Sequence, residues 1–472
     1  MLIIFFIVST VFGAIIFFAK SKVLSRLFFA TFIVFQIALC IYAYLHPDME
    51  DSLFYKFDSL GVLLTIVLTI LSISTFYYSI IYLERKATKA KSESTYFAAL
   101  IMFIAAMTSA NFTENIALLW ASIEATTLFV SVLIFHERTK DALEATWKYL
   151  FISSVGVAIA FIGILFMSII GSKNGLSDLN FQNLATAAHN INTIWLKISF
   201  LLILTGFSVK LSLFPLFAVA IDAKTVAASP VNALMSTALT NVGFISIFRT
   251  YTIVAHTDAL GWAQNILLLT GILSIFIAAI QLTRVKRLKR MYAFSTMEHM
   301  GIVSLGLAVG GIGYYAALLH IVFHSLVKAG LFYQINQIHA LYKSKWINDF
   351  GGFFKISPVA GLSLLLGFIS ITAMPPSGLF VSEFLIFKAL FIKNQIAIAL
   401  ITIILLTAII YIMAKSFLRI LYAPKPLNIE PMETFNSESV IPFILFGLVI
   451  YLGINPPLFF TDLIHSAIAV LN

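Results

Sequence analysis

Apolar runs of membrane-crossing length follow one another along this chain, separated by short polar loops. A bilayer core about 30 Å thick needs roughly 20 apolar helical residues to cross it. The runs predict helices over 2–19, 25–46, 57–83, 95–110, 112–136, 147–170, 194–218, 230–251, 262–282, 292–309, 312–337, 357–390, 396–422 and 438–453. Asn111-Phe112-Thr113-Glu114 is the only separator between the fourth and fifth runs, and Gly310-Gly311 divides the tenth from the eleventh. The longest polar stretch, 171–193, is Asn-rich and reads as a loop. Segment 2–19 has the length of a secretion signal but lacks a positive start and a small-residue cleavage site, so it is read as the first helix. The expected fold class is an all-α polytopic membrane protein with about 14 transmembrane helices.

Composition removes the alternatives. Hydrophobic residues make up 60% of the chain and charged residues 11%, which no soluble protein of this length requires. The single cysteine, Cys40, lies in an apolar run, so internal disulfides and cysteine-ligated zinc or iron–sulfur centres are excluded. A net charge of +9 does not indicate a nucleic-acid partner, because the basic residues sit in short loops between apolar runs. Counting from the N-terminus, the odd-numbered loops hold 21 of the 30 lysines and arginines, from Lys20, Lys22 and Arg26 to Lys415, Arg419 and Lys425, with Lys224 among them. Loop 47–55, on the other side, is acidic through Asp48, Glu50 and Asp51. The positive-inside rule therefore places both termini outside the cytoplasm. No Gly-rich phosphate loop follows a strand, and Gly351-Gly352 and Gly310-Gly311 read as turns.

Ionisable residues inside the apolar runs are the candidate chemistry, because each is expensive in hydrocarbon and faces a protein interior or a wet cavity. Lys210 lies deep in the seventh run, within GFSVKLSLFP, where Gly206 and Pro215 announce an interrupted helix. Asp222 and Lys224, beyond Pro215, are expected at the cytoplasmic rim. Glu124 is mid-helix among small and hydroxyl residues, as a hydrogen-bond anchor or a switchable proton carrier. Lys148 opens the next helix, where it can snorkel or pair with Glu124. Ser236, Thr237 and Asn241 line a water file or simply pack helices. His320, His324 and Lys328 repeat at four-residue spacing and share one helix face. Without the glutamate of an HExxH arrangement, and with a lysine one turn away, they suit a proton relay better than a metal. Glu298 and His299 either hold a loop or feed that path. Glu383 follows Pro375-Pro376 and Gly378, which mark a second interrupted helix. Two halves, each with a broken helix and ionisable residues, describe a proton or cation pathway with two half-sites. No nucleophile–base or metal constellation is evident, so no catalytic residue, cofactor site or metal site is assigned.

FDSLG (57–61), IEATTL (123–128), WKYL (147–150), STMEHMG (295–301), LLHIVFHSLVKAGLF (318–332) and PPSGLFVSEFLIF (375–387) resemble the antiporter-like, proton-translocating membrane subunits of respiratory complex I. The resemblance runs from residue 57 through the last helix and is strongest to the hydrogenase-4 and formate hydrogenlyase branch. It implies fourteen helices with inverted five-helix repeats at helices 4–8 and 9–13, and broken helices 7 and 12. The implied parts are 1–94 (helices 1–3), 95–251 (first half-channel), 262–422 (second half-channel) and 438–472 (helix 14 and tail). It gives Glu124 the family's helix-5 glutamate, Lys210 its helix-7 lysine, Lys328 its central lysine and Glu383 the charged residue of helix 12. His320 and His324 match the two histidines before the central lysine. The implied function is proton translocation along a mid-membrane Glu/Lys/His axis in the bacterial cytoplasmic (inner) membrane. Redox centres would belong to partner subunits: a hydrophilic hydrogenase or dehydrogenase arm, other antiporter-like subunits and small membrane subunits. The chain itself would be non-catalytic.

Departures from the family pattern accompany the resemblance. Where relatives read PLHxWLPDA, this chain reads PLFAVAIDA, with Phe217 for histidine, Val219 for tryptophan and Ile221 for proline. Ser236 stands where many relatives carry histidine. Both differences bear on how Lys210 connects to the cytoplasm. The chain ends after helix 14 without a long lateral helix, as expected of a mid-arm or hydrogenase-type subunit. Competing readings are a Na⁺ or K⁺/proton antiporter subunit, an ion-coupled subunit of an inorganic-carbon uptake system, and a scaffold whose pump has decayed.

Overall fold

Polar residues at the ends of the apolar runs start the helices. Asn115 accepts the amides of Ala117 and Leu118 and so caps Ile116–Phe135. Asp58 accepts Gly61 N at the start of Ser59–Arg85, and Ser377 accepts Leu379 N at the start of Gly378–Ile392. The computed structural model describes every residue except 174–177, 189–192, 425–436 and 472. Lys425, part of loop 171–193 and the last residue of the tail lie outside the described residues. Among the described residues twelve helices are long and apolar enough to cross a membrane. The protein is an all-helical, multi-pass membrane protein, apart from a small hairpin pairing Glu50–Ser52 with Tyr55–Lys56.

The chain folds as two units. The first comprises Met1–Val231, Ala238–Ile266 and Asp462–Asn472. Within it the helix expected over 194–218 runs from Thr193 to Leu211 and stops. Ser212–Phe217, with a cis Phe214-Pro215 bond, separates it from a second helix, Ala218–Val226. Thr193–Leu211 lies tightly against Lys140–Lys173. A Cβ at Gly206 would come within 2.4 Å of the Gly156 carbonyl oxygen, so only glycine permits this approach one turn before Lys210. Stretch 171–193, expected as a loop, contains a helix, Phe181–Ala188. Its buried Phe181, Leu184 and Ala188 recur every three to four residues, a signal too short to register as a membrane run. The N-terminal amine bonds Asp51 at 2.6 Å, fixing the hairpin beside the first helix.

The second unit comprises Asn232–Thr237 and Leu267–Thr461. Its centre is Ile312–Tyr342, whose most apolar stretch is 94% buried, against 28% for Ile396–Tyr422. The first figure marks a helix enclosed by protein and the second one with its flank free for lipid or a partner. The helix expected over 357–390 is two, Pro358–Ile371 and Gly378–Ile392, separated by Thr372–Ser377 with a cis Pro375-Pro376 bond. The span Ser229–Ala255, expected over 230–251, is fully buried and its helical pattern breaks at Thr237.

Candidate ion pathway

In the first unit Lys210 occupies the last turn of Thr193–Leu211, 2% exposed. Its Nζ donates to Thr127 Oγ1 at 2.6 Å and to Tyr149 OH at 3.2 Å, and lies 5.2 Å from the Tyr149 ring centre. These groups offset part of a burial cost of about 2.5–3.5 kcal/mol or more for a lysine in mid-membrane. Glu124 is the acid whose charge Lys210 feels. It is hydrogen-bonded elsewhere: Oε1 accepts Ser154 Oγ at 2.7 Å, and the buried Oε2 has no hydrogen-bond partner among the described residues. One carboxylate oxygen thus remains uncommitted near a buried ammonium, an arrangement suited to exchanging charge.

Lys148 does not join this group. Its side chain is 52% exposed and pairs with Glu144 at 2.5 Å, so the pairing with Glu124 weighed from sequence is not formed. Lys224 differs from expectation in the opposite sense. Placed at a cytoplasmic rim by sequence, it is 1% exposed and donates to Ser212 Oγ at 2.8 Å, inside the interruption of the seventh run. Arg249, also buried, donates to the carbonyls of Asn111 and Thr113 and to Asp58 at 2.8 Å, where it ties three elements together. Asn241 is buried in the same span.

In the second unit the sequence-predicted residues converge, with Glu298 and His299 at the centre rather than at the margin. His299 Nδ1 lies 3.0 Å from His320 Nε2, and His320 Nδ1 lies 3.0 Å from Ser382 Oγ. The His299 ring centre is 5.2 Å from that of His324. Glu298 approaches one side of His299 at 3.7 Å and Glu383 the other at 3.9 Å. Lys328 Nζ donates to the Tyr292 carbonyl at 2.6 Å and acts electrostatically on both Glu298 and His299. Glu298 and Glu383 border a cavity of about 10 Å³, close to the size of one water, with Thr372 in its wall. Ser236 and Thr237 are buried in this unit; Thr237 donates to Ala233 O at 2.5 Å, and Ser236 Oγ has no hydrogen-bond partner among the described residues.

The His320/His324 spacing does not make a metal pair. The ligand types that come together are His299, His320 and Glu383, with one ligand atom from each within 4.8 Å of the others. The Lys328 charge acting on this cluster opposes a bound cation. Geometrically the group is His299 between two acids with His320 in hydrogen-bond reach, under the electrostatic influence of the Lys328 ammonium.

Ionisable side chains buried in both units of a multi-pass helical protein are the residue pattern of an ion pathway. Residues 113–410 match the family described as NADH:quinone oxidoreductase/Mrp antiporter, transmembrane. The chain belongs to that family. It is 33% identical over 301 residues to the hydrogenase-4 component F homolog of Methylacidiphilum infernorum (isolate V4), covering 63% of each protein. It is 26% identical over 365 residues to hydrogenase-4 component B of Escherichia coli (strain K12), covering 74% of this chain and 53% of that one. The matched regions thus span little more than half of these relatives. A chain of the membrane-bound sulfane sulfur reductase, an archaeal respiratory membrane complex, superposes with a TM-score of 0.89 at 20% identity, covering 100% of this chain and 97% of that one, a likeness of fold.

Proposed function

We propose that this chain is the proton-translocating subunit of a multisubunit, redox-driven membrane complex of the hydrogenase-4 and complex I type. The observation that carries the reading is the buried cluster of Lys328, Glu298, His299, His320 and Glu383, in which His299 is flanked by the two carboxylates and lies 3.0 Å from the His320 imidazole. Imidazole both accepts and donates a proton, so such a cluster can pass one without moving the backbone. Lys210, Thr127, Tyr149 and Glu124 form the corresponding first half-site, and the names of the hydrogenase-4 relatives support the setting.

Adding Leu288–Val309 and the interrupted Pro358–Ile371/Gly378–Ile392 pass to the twelve long spans supports fourteen passages. A helix interrupted beside a buried ionisable residue in each part supports two related halves, assigned to 95–251 and 262–422, with 1–94 and 438–472 as flanking parts. An even number of passages puts both termini on one side, the non-cytoplasmic side by the charge pattern, in the bacterial cytoplasmic membrane. Partners are other antiporter-like subunits, small membrane subunits and a hydrophilic arm that carries the redox centres; nucleic acid is not a partner.

A second reading, Na⁺ or K⁺/proton antiport, is favoured by one feature: two acids, Glu298 and Glu383, border a single small cavity together with Thr372. Mild-detergent purification with partner identification, followed by transport assays of the recovered complex, tests both. Lys210→Ala is expected to abolish ion-coupled activity with assembly intact, and unchanged coupling would overturn the assignment. Dependence on Na⁺ or K⁺ rather than on protons alone would select the second reading.

A further inference from the structure

A string of hydroxyls leaves the Lys210 site toward the hairpin end of the first unit. Tyr55 OH lies 2.8 Å from Ser109 Oγ, and Ser109 Oγ lies 2.8 Å from Ser122 Oγ, which donates to the Leu118 carbonyl at 2.9 Å. Ser122 and Thr126 are four residues apart and share a helix face. Thr126 and Thr127 both donate to the Ile123 carbonyl, at 2.6 and 3.3 Å, and Thr127 accepts from Lys210. The outer end lies at the surface hairpin. Tyr55 is half-buried there beside the N-terminus, and the next residue, Lys56, lines a separate cavity of about 390 Å³ with Asp58, Glu114, Arg249 and His256.

Small hydroxyl residues commonly pack helices together, and two serines alone would say no more than that. Here the third member is a tyrosine outside the membrane helices, so the string spans from a surface loop to a helix facing the buried lysine. Burial pushes the Tyr55 phenol up from its ordinary value while the Ser109 hydrogen bond pulls it down, so it remains a hydroxyl near neutral pH.

We propose that Tyr55, Ser109 and Ser122 form a hydroxyl relay connecting Lys210 to the aqueous face that carries the N-terminus. The inference rests on the proton-translocation reading. Lys210 gives up one proton to Thr127, and water bridges Thr127 to Thr126 and Thr126 to Ser122. Each hydroxyl then passes on its own proton as it receives another. Tyr55, partly exposed, releases one proton to solvent water and takes one from Ser109. Lys210 is left as a neutral amine, and the hydroxyls rotate back. The direction is opposite to a cytoplasmic route past Phe217, Val219 and Ile221, where family polar positions are apolar in this chain.

Two experiments test it in the assembled complex. With Cys40 replaced by Ser, single cysteines are placed at Ser109, Ser122 and, as a sealed control, the fully buried Ser72. A membrane-impermeant cationic methanethiosulfonate is applied from each face. Reaction of Ser122→Cys from the N-terminal face at a rate about tenfold or more above Ser72→Cys is expected for a wet path; equal rates from both faces overturn it. In the second, Tyr55→Phe is expected to lower proton transport about a hundredfold, the low end for loss of one proton-transfer group. If Lys210→Ala leaves transport intact, the pumping assignment fails; if Lys210→Ala abolishes it while Tyr55→Phe retains the full rate, the relay alone fails.

Discussion

His299 and His320 meet with Nδ1 and Nε2 3.0 Å apart, so that one nitrogen holds the proton the other accepts. Ser382, 3.0 Å from the remaining nitrogen of His320, influences which tautomer that ring adopts. If the two rings act in series, removing either interrupts the same step. His299→Ala and His320→Ala are each expected to reduce proton transport by about a hundredfold, and the double variant by no more than either alone. Transport by the reconstituted complex checks this; losses that multiply in the double variant would show parallel routes.

Lys148 gives the opposite expectation. It is half-exposed and held by Glu144, away from the Lys210 group. Lys148→Ala is expected to keep transport within about twofold of the parent, as exposed i,i+4 pairs contribute little. A large loss with assembly intact would place Lys148 on the pathway, and a loss of assembly would place it at a subunit contact.

The membrane helices were legible because a run of some 20 apolar residues has few other fates. The interruptions at Ser212–Phe217 and Thr372–Ser377 were legible through Pro215, Pro375 and Pro376. The central place of His299 was present in the sequence but needed register to be seen. Leu288–Val309 and Ile312–Tyr342 are adjoining helices turned at Gly310-Gly311, with Gly310 and Gly311 at φ 70° and 57°. His299 stands eleven residues before Gly310 and His320 ten after it, so an antiparallel hairpin sets them level; Tyr292 and Lys328, eighteen on either side, meet by the same rule. The burial of Lys224 was not legible in this way. Its enclosure depends on how a nine-residue helix folds back after a break, which hydropathy does not encode.

His136, just beyond Ile116–Phe135, supplies a pH test outside the membrane. Burial first, then the Lys86 and Arg138 charges, lowers its imidazole to about 4, and its ring stands against Tyr96 at 5.0 Å. The folded protein therefore favours neutral His136, whereas the unfolded chain takes up a proton near pH 6.5. Stability is expected to fall as pH drops from 6.5 toward 4, by at most about 3 kcal/mol from this residue, and to level off below. Thermal unfolding in detergent should show a shallower slope across that window for His136→Gln; an unchanged slope would remove the assignment.

Lys224 separates structural from conducting roles. It and Lys210 stand on either side of the first interruption, and its ammonium reaches back to Ser212 within that break. Replacing a buried charge with an apolar side chain of similar length commonly leaves stability unchanged or raises it, because the desolvation cost disappears. Lys224→Met is therefore expected to unfold at the same temperature as the parent or higher. If Lys224 only pins the broken helix, transport should then survive. Its enclosure one interruption away from Lys210 argues instead that it shares the charge-transfer work of the first half-site, so transport is expected to drop about tenfold or more while the melting temperature holds. Unfolding and transport measured on the same preparation decide between the two. A stable Lys224→Met variant with full transport would restrict the first half-site to Lys210 and its partners Thr127, Tyr149 and Glu124.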